Sequence, residues 1–339
     1  MKYVGIDYHK DILAICIQNS RGKVEKEFET SADWEGIDGL IEIMGDEKYK
    51  VMGESSPYSI NLHNYLIVKN VESILVDPWN IQLITKSDKK TDRHDASVLA
   101  TFLRLMDRGE ISLSISYIVS GNQRDLRDLC RYREMAANAK GQCLQRMKVH
   151  MRLHDQRLED DYDDFSTMKG QSMLREFFSD DFVLMSMLDD YVYWSNRCSK
   201  IDRMFNESAF RTSEVELLTS IPGIGLLTAV QLMSMIVDIG RFGTSDKMRG
   251  YFGMSIRVKD SGGKMKHGHI TKKGDPMMRS ILARIFCQFQ RLGTKNSIMA
   301  YYESHVDSMG AMKARMACMN KILDLIYAVL KRGTPYVSR

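Results

Sequence analysis

Asp7, Glu54, Asp92 and Asp95 are the residues of this 339-residue chain whose type and spacing carry the most chemistry. Asp92 and Asp95 stand three apart, which places two side chains on one face of a helix. Carboxylate oxygens suit a hard cation such as Mg²⁺, with Mn²⁺ able to substitute. Two such ions about 3.5 to 4 Å apart polarise a phosphodiester and stabilise its attacking and leaving oxygens. Each acid also has an ordinary role available: Asp7 in a turn, Glu54 solvated, Asp92 as a helix N-cap, and Asp95 favouring the helix dipole. Asp11, Asp77 and Asp88 are nearby alternatives, Asp88 above all if the helix begins earlier.

A second group lies near the end of the chain. Ile221-Pro222-Gly223-Ile224-Gly225 has the helix-hairpin-helix pattern, in which a Gly-x-Gly turn opens a helix. Backbone N–H groups at such a turn, around Gly223 and Gly225, can hold a DNA phosphate without reading sequence, although an ordinary helix connection has the same look. Farther on, Ser261-Gly262-Gly263 sits among Lys264, Lys266, Lys272, Lys273 and Arg279, with His267 and His269 between them. Glycines let a backbone approach phosphate, and the cations supply counter-charge. A serine before two glycines is ordinarily a turn residue, so local chemistry alone leaves Ser261 open as a nucleophile. His150 and His154 have the i, i+4 spacing of a metal pair, but no third ligand stands beside them in sequence and zinc is not expected there.

The elements that must position these groups can be read from periodicity. Short apolar or alternating runs at 3–7, 13–17 and 23–28 predict three successive strands. An amphipathic stretch follows at 33–44, then a strand at 50–54, a helix near 60–69, a strand at 73–77, and a helix beginning near Asp92. The order β-β-β-α-β-α-β is that of the ribonuclease H fold, whereas doubly wound folds begin β-α-β. In it, Asp7, Glu54 and the start of the last helix converge at one point. Residues 122–158 contain almost no helix breaker, and Cys130, Ala137, Leu144, Met151 and Leu158 recur every seven residues. A second stripe, Leu184, Leu188, Tyr191, Ser195, Cys198, Asp202 and Phe205, completes a candidate antiparallel coiled-coil arm. From Leu217 onward the expectation is short helices and glycine-rich turns, with a last helix over 309–330.

Composition narrows the class. With 44% hydrophobic residues the chain can bury full cores and is not disordered, and its length favours more than one domain. The net charge is only +4, yet between Arg241 and Arg291 twelve basic residues face only Asp246, Asp260 and Asp275, the footprint of a polyanion partner. The six cysteines lie far apart with no Cys-x-x-Cys pair, no run is long and apolar enough to span a bilayer, and no signal-peptide core follows Met1. These features point to reduced cysteines, no membrane and a cytoplasmic setting.

The chain resembles the DEDD transposases of the insertion-sequence 110 family, relatives of the Piv DNA invertase. The resemblance is carried in family order by Val4-Gly5-Ile6-Asp7-Tyr8-His9-Lys10, Gly53-Glu54-Ser55-Ser56, Lys90-Thr91-Asp92-Arg93-His94-Asp95-Ala96, Ile221 to Gly225, and Ser261-Gly262 to Arg279. It implies an α/β plus α chain: a RuvC-like domain of ribonuclease H fold (1–110), a helical coiled-coil arm (111–210) and a mainly helical C-terminal transposase domain (211–339). It further implies Mg²⁺ held by the four acids and Ser261 as the nucleophile of a covalent phosphoserine intermediate. The implied partners are donor and target DNA and a structured bridge RNA. Homodimers would join into a tetramer, with each active site combining carboxylates of one subunit and the serine of another. His94 departs from the arginine frequent between the two aspartates, and Asp275 from the usual asparagine.

Two other readings stay open on sequence. A RuvC-type junction resolvase or hydrolytic nuclease would use metal-activated water and need no serine. An inactive nucleic-acid-binding scaffold would keep the fold without the chemistry. The complete acid set weighs against the scaffold, and Ser261 with its basic surroundings against the resolvase.

Overall fold

The computed structural model describes residues 1–78, 92–119, 121–156, 164–207, 210–261 and 264–337, with backbone only at 92, 93, 258–261 and 264–267. The chain divides into two units, Met1–Ile118 and Val119–Arg339.

In the first unit, β1 (Lys2–Tyr8), β2 (Ile12–Asn19) and β3 (Val24–Ser31) form an antiparallel meander. After α1 (Trp34–Met44), β4 (Tyr49–Glu54) pairs parallel to β1, and after α2 (Ser59–Val68), β5 (Glu72–Val76) pairs parallel to β4. The mixed sheet therefore has the order β3-β2-β1-β4-β5, and α3 (Asp92–Asp107) follows it in sequence. The element order expected from periodicity is the one observed.

Burial explains the strand sequences. β1 and β2 are buried on both faces and read as nearly continuous apolar runs. β3, at the sheet edge, carries Glu25, Lys26, Glu27 and Glu29, charges that discourage edge-to-edge pairing. One face presents Val4, Ile6, Tyr8, Leu13, Ile15 and Ile17 to Ile37 and Leu40 of α1 and Leu62 and Leu66 of α2. α1 starts where Asp33 accepts a hydrogen bond from Gly36 N at 2.9 Å, satisfying one of the free N–H groups of the first turn. The other face is covered by α3, through Leu99, Phe102 and Leu103 against Tyr3, Met52 and Val76.

The second unit is helical apart from one hairpin. Its elements are α4 (Gly121–Leu153), α5 (Met168–Phe177), α6 (Phe182–Phe205), α7 (Ser213–Thr219), α8 (Leu226–Ile236), α9 (Ser245–Tyr251), β6 (Ile256–Ser261), β7 (Lys264–Ile270), α10 (Pro276–Arg291), α11 (Ser297–Met309) and α12 (Ala311–Arg332). α4 and α6 run antiparallel, because Arg133 pairs with Asp202 at 3.0 Å near one end and His150 with Asp181 at 2.8 Å near the other. The buried seam of α4 is Cys130, Ala136, Cys143, Met147 and Met151, while Ala137 and Leu144 of the seven-residue repeat are only half-buried. A helix of 3.6 residues per turn drifts against a strict heptad, so a pair without sustained supercoiling shifts its seam. Leu158 lies outside the described residues. Cys130 joins the large core formed with α8, α10 and α12, whereas Cys143 to Met151 pack with Phe165, Leu174, Leu184, Leu188 and Tyr191.

The hairpin β6–β7 was not expected from the sequence, although Ile256 and Val258 alternate with Arg257 and Lys259 and two glycines separate the strands. The cysteines form no disulfide, five being buried and Cys287 exposed. No helix among the described residues is long and apolar enough to cross a membrane.

Candidate functional site

The carboxylates of the first unit are positioned by how α3 lies on the sheet. A Cβ built on Gly5 would stand 1.9 Å from the Ala96 carbonyl oxygen and 2.6 Å from Ala100 N, so the helix backbone touches β1 there. Ala14, Cys16, Ala96 and Ala100 complete this small-residue contact. Tyr3, two residues before Gly5 on the same face, donates its hydroxyl hydrogen bond to Asp107 at 2.8 Å, at the opposite end of α3. α3 therefore runs antiparallel to β1, and its first turn, with Asp92 and Asp95, reaches the end of the sheet where β1 finishes.

Strand alternation puts Asp7 on the Tyr3–Gly5 face. Ile6 pairs with Gly53, so the next position of each strand, Asp7 and Glu54, are neighbours on that face. Glu54 also shares it with Met52, packed on α3, and with Lys50, paired with Asp107 at 2.8 Å. The hydrogen bond to Asp107 and a second to Glu72 push the Lys50 ammonium up to about 12. Asp7 is mostly covered, 17% exposed, and its Oδ2 lies 3.0 Å from His9 Nε2. On the opposite face the ring of Tyr8 occupies the space beside Gly53, where a Cβ would come within 2.3 Å of it. The Tyr8 hydroxyl is buried without a hydrogen-bond partner among the described residues, and burial pushes its pKa up.

Asp7, Glu54 and Asp95 thus bring oxygen donors to one face at one end of the sheet, a donor type suited to a hard cation. Among the described residues no three His, Cys, Asp or Glu side chains come together closely enough to hold a metal ion. The side chain of Asp92 lies outside the described residues, as does Asp88. His94 is exposed at the start of α3.

In the second unit, Gly223 adopts φ +82° between α7 and α8, a left-handed conformation that favours glycine. Gly225 is the N-cap of α8 and is exposed together with Pro222, and no side chain caps the first backbone N–H groups of the helix. Ser261 ends β6 and pairs with Lys264 in the hairpin register, and Lys259 pairs with Lys266. The side chains of Ser261, Lys264 and Lys266 lie outside the described residues. Lys272 and Lys273 are exposed beyond the hairpin, Lys272 at φ +57°. Arg279 turns inward to donate to the Gly274 carbonyl at 2.9 Å. Asp275 caps α10 by accepting from Met277 N at 2.9 Å, and pairs with Arg131 at 2.9 Å. The rings of His150 and His154 lie tilted to each other at 37°, with centroids 4.3 Å apart.

Sequence reasoning missed Gly5 as the contact that sets α3, Asp275 as a cap, and the aromatic cluster around Arg241. The Gly5 signal was present in Gly5, Ala96 and Ala100, small residues facing one another, but only the fold brings them together.

Residues 4–154 match the model of a DEDD transposase of IS110 type, and residues 215–303 match that of the transposase IS116/IS110/IS902 family. The transposase for insertion sequence element IS1111A of Coxiella burnetii is 29% identical over 36% of this chain and 34% of its own length. The pilin gene-inverting protein of Moraxella lacunata is 27% identical over 45% of this chain and 50% of its own. A putative transposase, y4qE, of Sinorhizobium fredii is 25% identical over 83% and 70%. The first two matches thus span between about a third and a half of those relatives. With each of its two units reached by a model of the same group of transposases, the chain belongs to the IS110 family of DEDD transposases.

Proposed function

We propose that the chain is a DNA transposase or recombinase that cuts and rejoins strands through a phosphoserine at Ser261, with Mg²⁺ held by Asp7, Glu54, Asp92 and Asp95. The observation that carries the reading is the antiparallel lie of α3 on β1, which takes Asp95 to the same face and sheet end as Asp7 and Glu54. The strand order β3-β2-β1-β4-β5 supports a ribonuclease H type of fold for this unit. Bound Mg²⁺ would polarise the phosphodiester and steady the charge on its oxygens.

In the proposed cleavage, Ser261 Oγ attacks phosphorus, an Oγ–P bond forms and a P–O bond to one deoxyribose breaks. The serine proton is released and the departing oxygen takes one up. In rejoining, a hydroxyl of the partner strand attacks the phosphoserine and Ser261 recovers its proton, so no bond energy is lost to water. The Gly223–Gly225 turn, with Lys264, Lys266, Lys272 and Lys273, is the proposed phosphate-binding surface; Arg279 supports it by holding the Gly274 backbone. The long basic helix α4 and this surface suit a structured guide RNA as well as DNA, and the family resemblance extends the proposal to a homodimer that assembles to a tetramer.

The test is strand cleavage with Mg²⁺ on a rejoining-blocked substrate. Asp7→Ala and Asp95→Ala are expected to fold and bind nucleic acid but not to cut, and Ser261→Ala to lose the DNA–protein adduct that survives denaturation. Cutting by wild type without any adduct would replace the serine with hydrolysis. RNA recovered with the purified protein is expected to be a defined species that raises DNA specificity; random fragments with no such gain would remove the guide.

A further inference from the structure

The backbone at 251–253 is crossed by the backbone at 272–274. A Cβ on Gly274 would lie 2.4 Å from the Tyr251 carbonyl oxygen and 2.3 Å from the Phe252 carbonyl carbon, and one on Gly253 would lie 2.6 Å from Lys273 N. Lys272 N donates to the Gly253 carbonyl at 2.9 Å. The crossing holds the backbone of Lys272 and Lys273, both exposed, against the backbone of residues 251–253, and Tyr251 is 42% exposed although its ring packs in an aromatic cluster. The guanidinium of Arg241 lies 4.3 Å from the Tyr251 ring centroid and 4.5 Å from that of Phe242, and the Tyr251 and Phe252 rings meet edge to face at 4.9 Å.

A half-exposed aromatic ring braced from within, with two exposed lysines anchored to the same stretch of backbone, has the composition of a single-strand nucleic-acid platform, in which a ring stacks a base and cations hold its phosphates. Bracing lowers the entropy lost on binding. We infer that Tyr251, with Lys272 and Lys273, binds an unpaired nucleotide of single-stranded DNA. The inference deepens the proposed function, on which its choice of DNA rests. The crossing is the root of the hairpin that carries Ser261, and six residues of strand at about 3.3 Å each separate Ser255 from Ser261, about 20 Å. The nucleotide stacked on Tyr251 therefore belongs to the strand beyond the scissile phosphate, not to the phosphate itself.

The test uses the full chain and a single-stranded DNA oligonucleotide carrying 2-aminopurine, whose fluorescence is quenched by stacking, beside the same sequence as duplex DNA and as single-stranded RNA. Wild type and Tyr251→Phe are expected to quench. Tyr251→Leu, which keeps bulk against Arg241 without a π face, is expected to lose the quenching and to bind single-stranded DNA about 5- to 150-fold more weakly, with duplex affinity unchanged. Lys272→Ala with Lys273→Ala is expected to lower the salt dependence of single-strand binding by about 1.4 in the log–log slope. A folded Tyr251→Leu protein that binds single strands like wild type, an equal loss on duplex, or a loss confined to RNA would each overturn the inference. If Tyr251→Leu does not fold, the wild-type protein decides, absence of quenching being fatal. Repeating the binding with Ser261→Ala protein separates the platform from the serine chemistry, since neither readout needs cleavage.

Discussion

Gly5 and Ala96 are in backbone contact: the space a side chain would take at Gly5 is filled, at 1.9 Å, by the Ala96 carbonyl oxygen. This contact lets α3 lie directly on β1 and fixes how far its first turn stands from Asp7. Gly5→Ala must either push α3 away or bend β1. We expect a loss of about 2 to 4 kcal/mol in stability, the range of severe overpacking, with cleavage lost more completely than folding. Urea denaturation and the proposed Mg²⁺-dependent cleavage on one preparation check both; a variant with normal stability and cutting would show that α3 is not set by this contact.

The sheet was legible because burial writes itself into strands: two-sided burial made β1 and β2 continuous apolar runs, and the edge position of β3 made it alternate with charge. Asp7, Glu54 and Asp95 were legible as a group only because the element order implied which strand ends meet. The hairpin bearing Ser261 was not, since Lys259, Asp260, Lys264 and Lys266 dilute its alternation and glycines suggest a turn without saying what flanks it. The segments of Tyr251 and Lys272, twenty-one positions apart, cross through two glycines whose role is close approach of backbones, and no periodicity reports that.

Asp181, the N-cap of α6, ties that helix to the end of α4. Its carboxylate accepts from Leu184 N at 2.9 Å, from Gln156 Nε2 at 2.8 Å, and lies 2.8 Å from His150 Nε2. These partners, the Leu184 backbone first, hold its pKa well below the ordinary 3.8. A depressed carboxylate contributes stability that is present above its unfolded value and is lost as pH falls through the folded one. Thermal stability of the wild type should therefore decline below about pH 4, and more steeply than that of Asp181→Asn, which cannot titrate. At neutral pH, Asp181→Ala should cost about 1 to 2 kcal/mol through the lost cap. Parallel pH profiles for Asp181→Asn and wild type would assign the acid sensitivity elsewhere.

Val237 ends α8 at φ 62° and ψ −67°, with Asp238 N donating to the Ile236 carbonyl at 2.8 Å. This is a γ-turn of the rare hand, on a β-branched residue, and such backbones cost about 1 to 3 kcal/mol. Arg127 holds the turn by donating through Nε to the Ser234 carbonyl at 3.0 Å. Val237→Gly should relieve the strain and raise the melting temperature, whereas Arg127→Ala should lower it. A Val237→Gly protein that melts below wild type would mean that side-chain packing outweighs the strain.

The four acids belong to the first unit and Ser261 to the second, so two variants can each keep one half of the proposed machinery intact. Asp7→Ala retains the serine and Ser261→Ala retains the acids, and each alone is expected to be inactive. If an active site combines the acids of one subunit with the serine of another, a mixed dimer holds one site with both halves damaged and one with both intact. Random mixing makes about half the dimers mixed, so about one site in four is restored. If each site uses acids and serine of one chain, mixing restores nothing. Recombination measured after the two variants are unfolded and refolded together, against each refolded alone, separates the cases: activity near a quarter of wild type supports a shared site, and none assigns the chemistry to single chains.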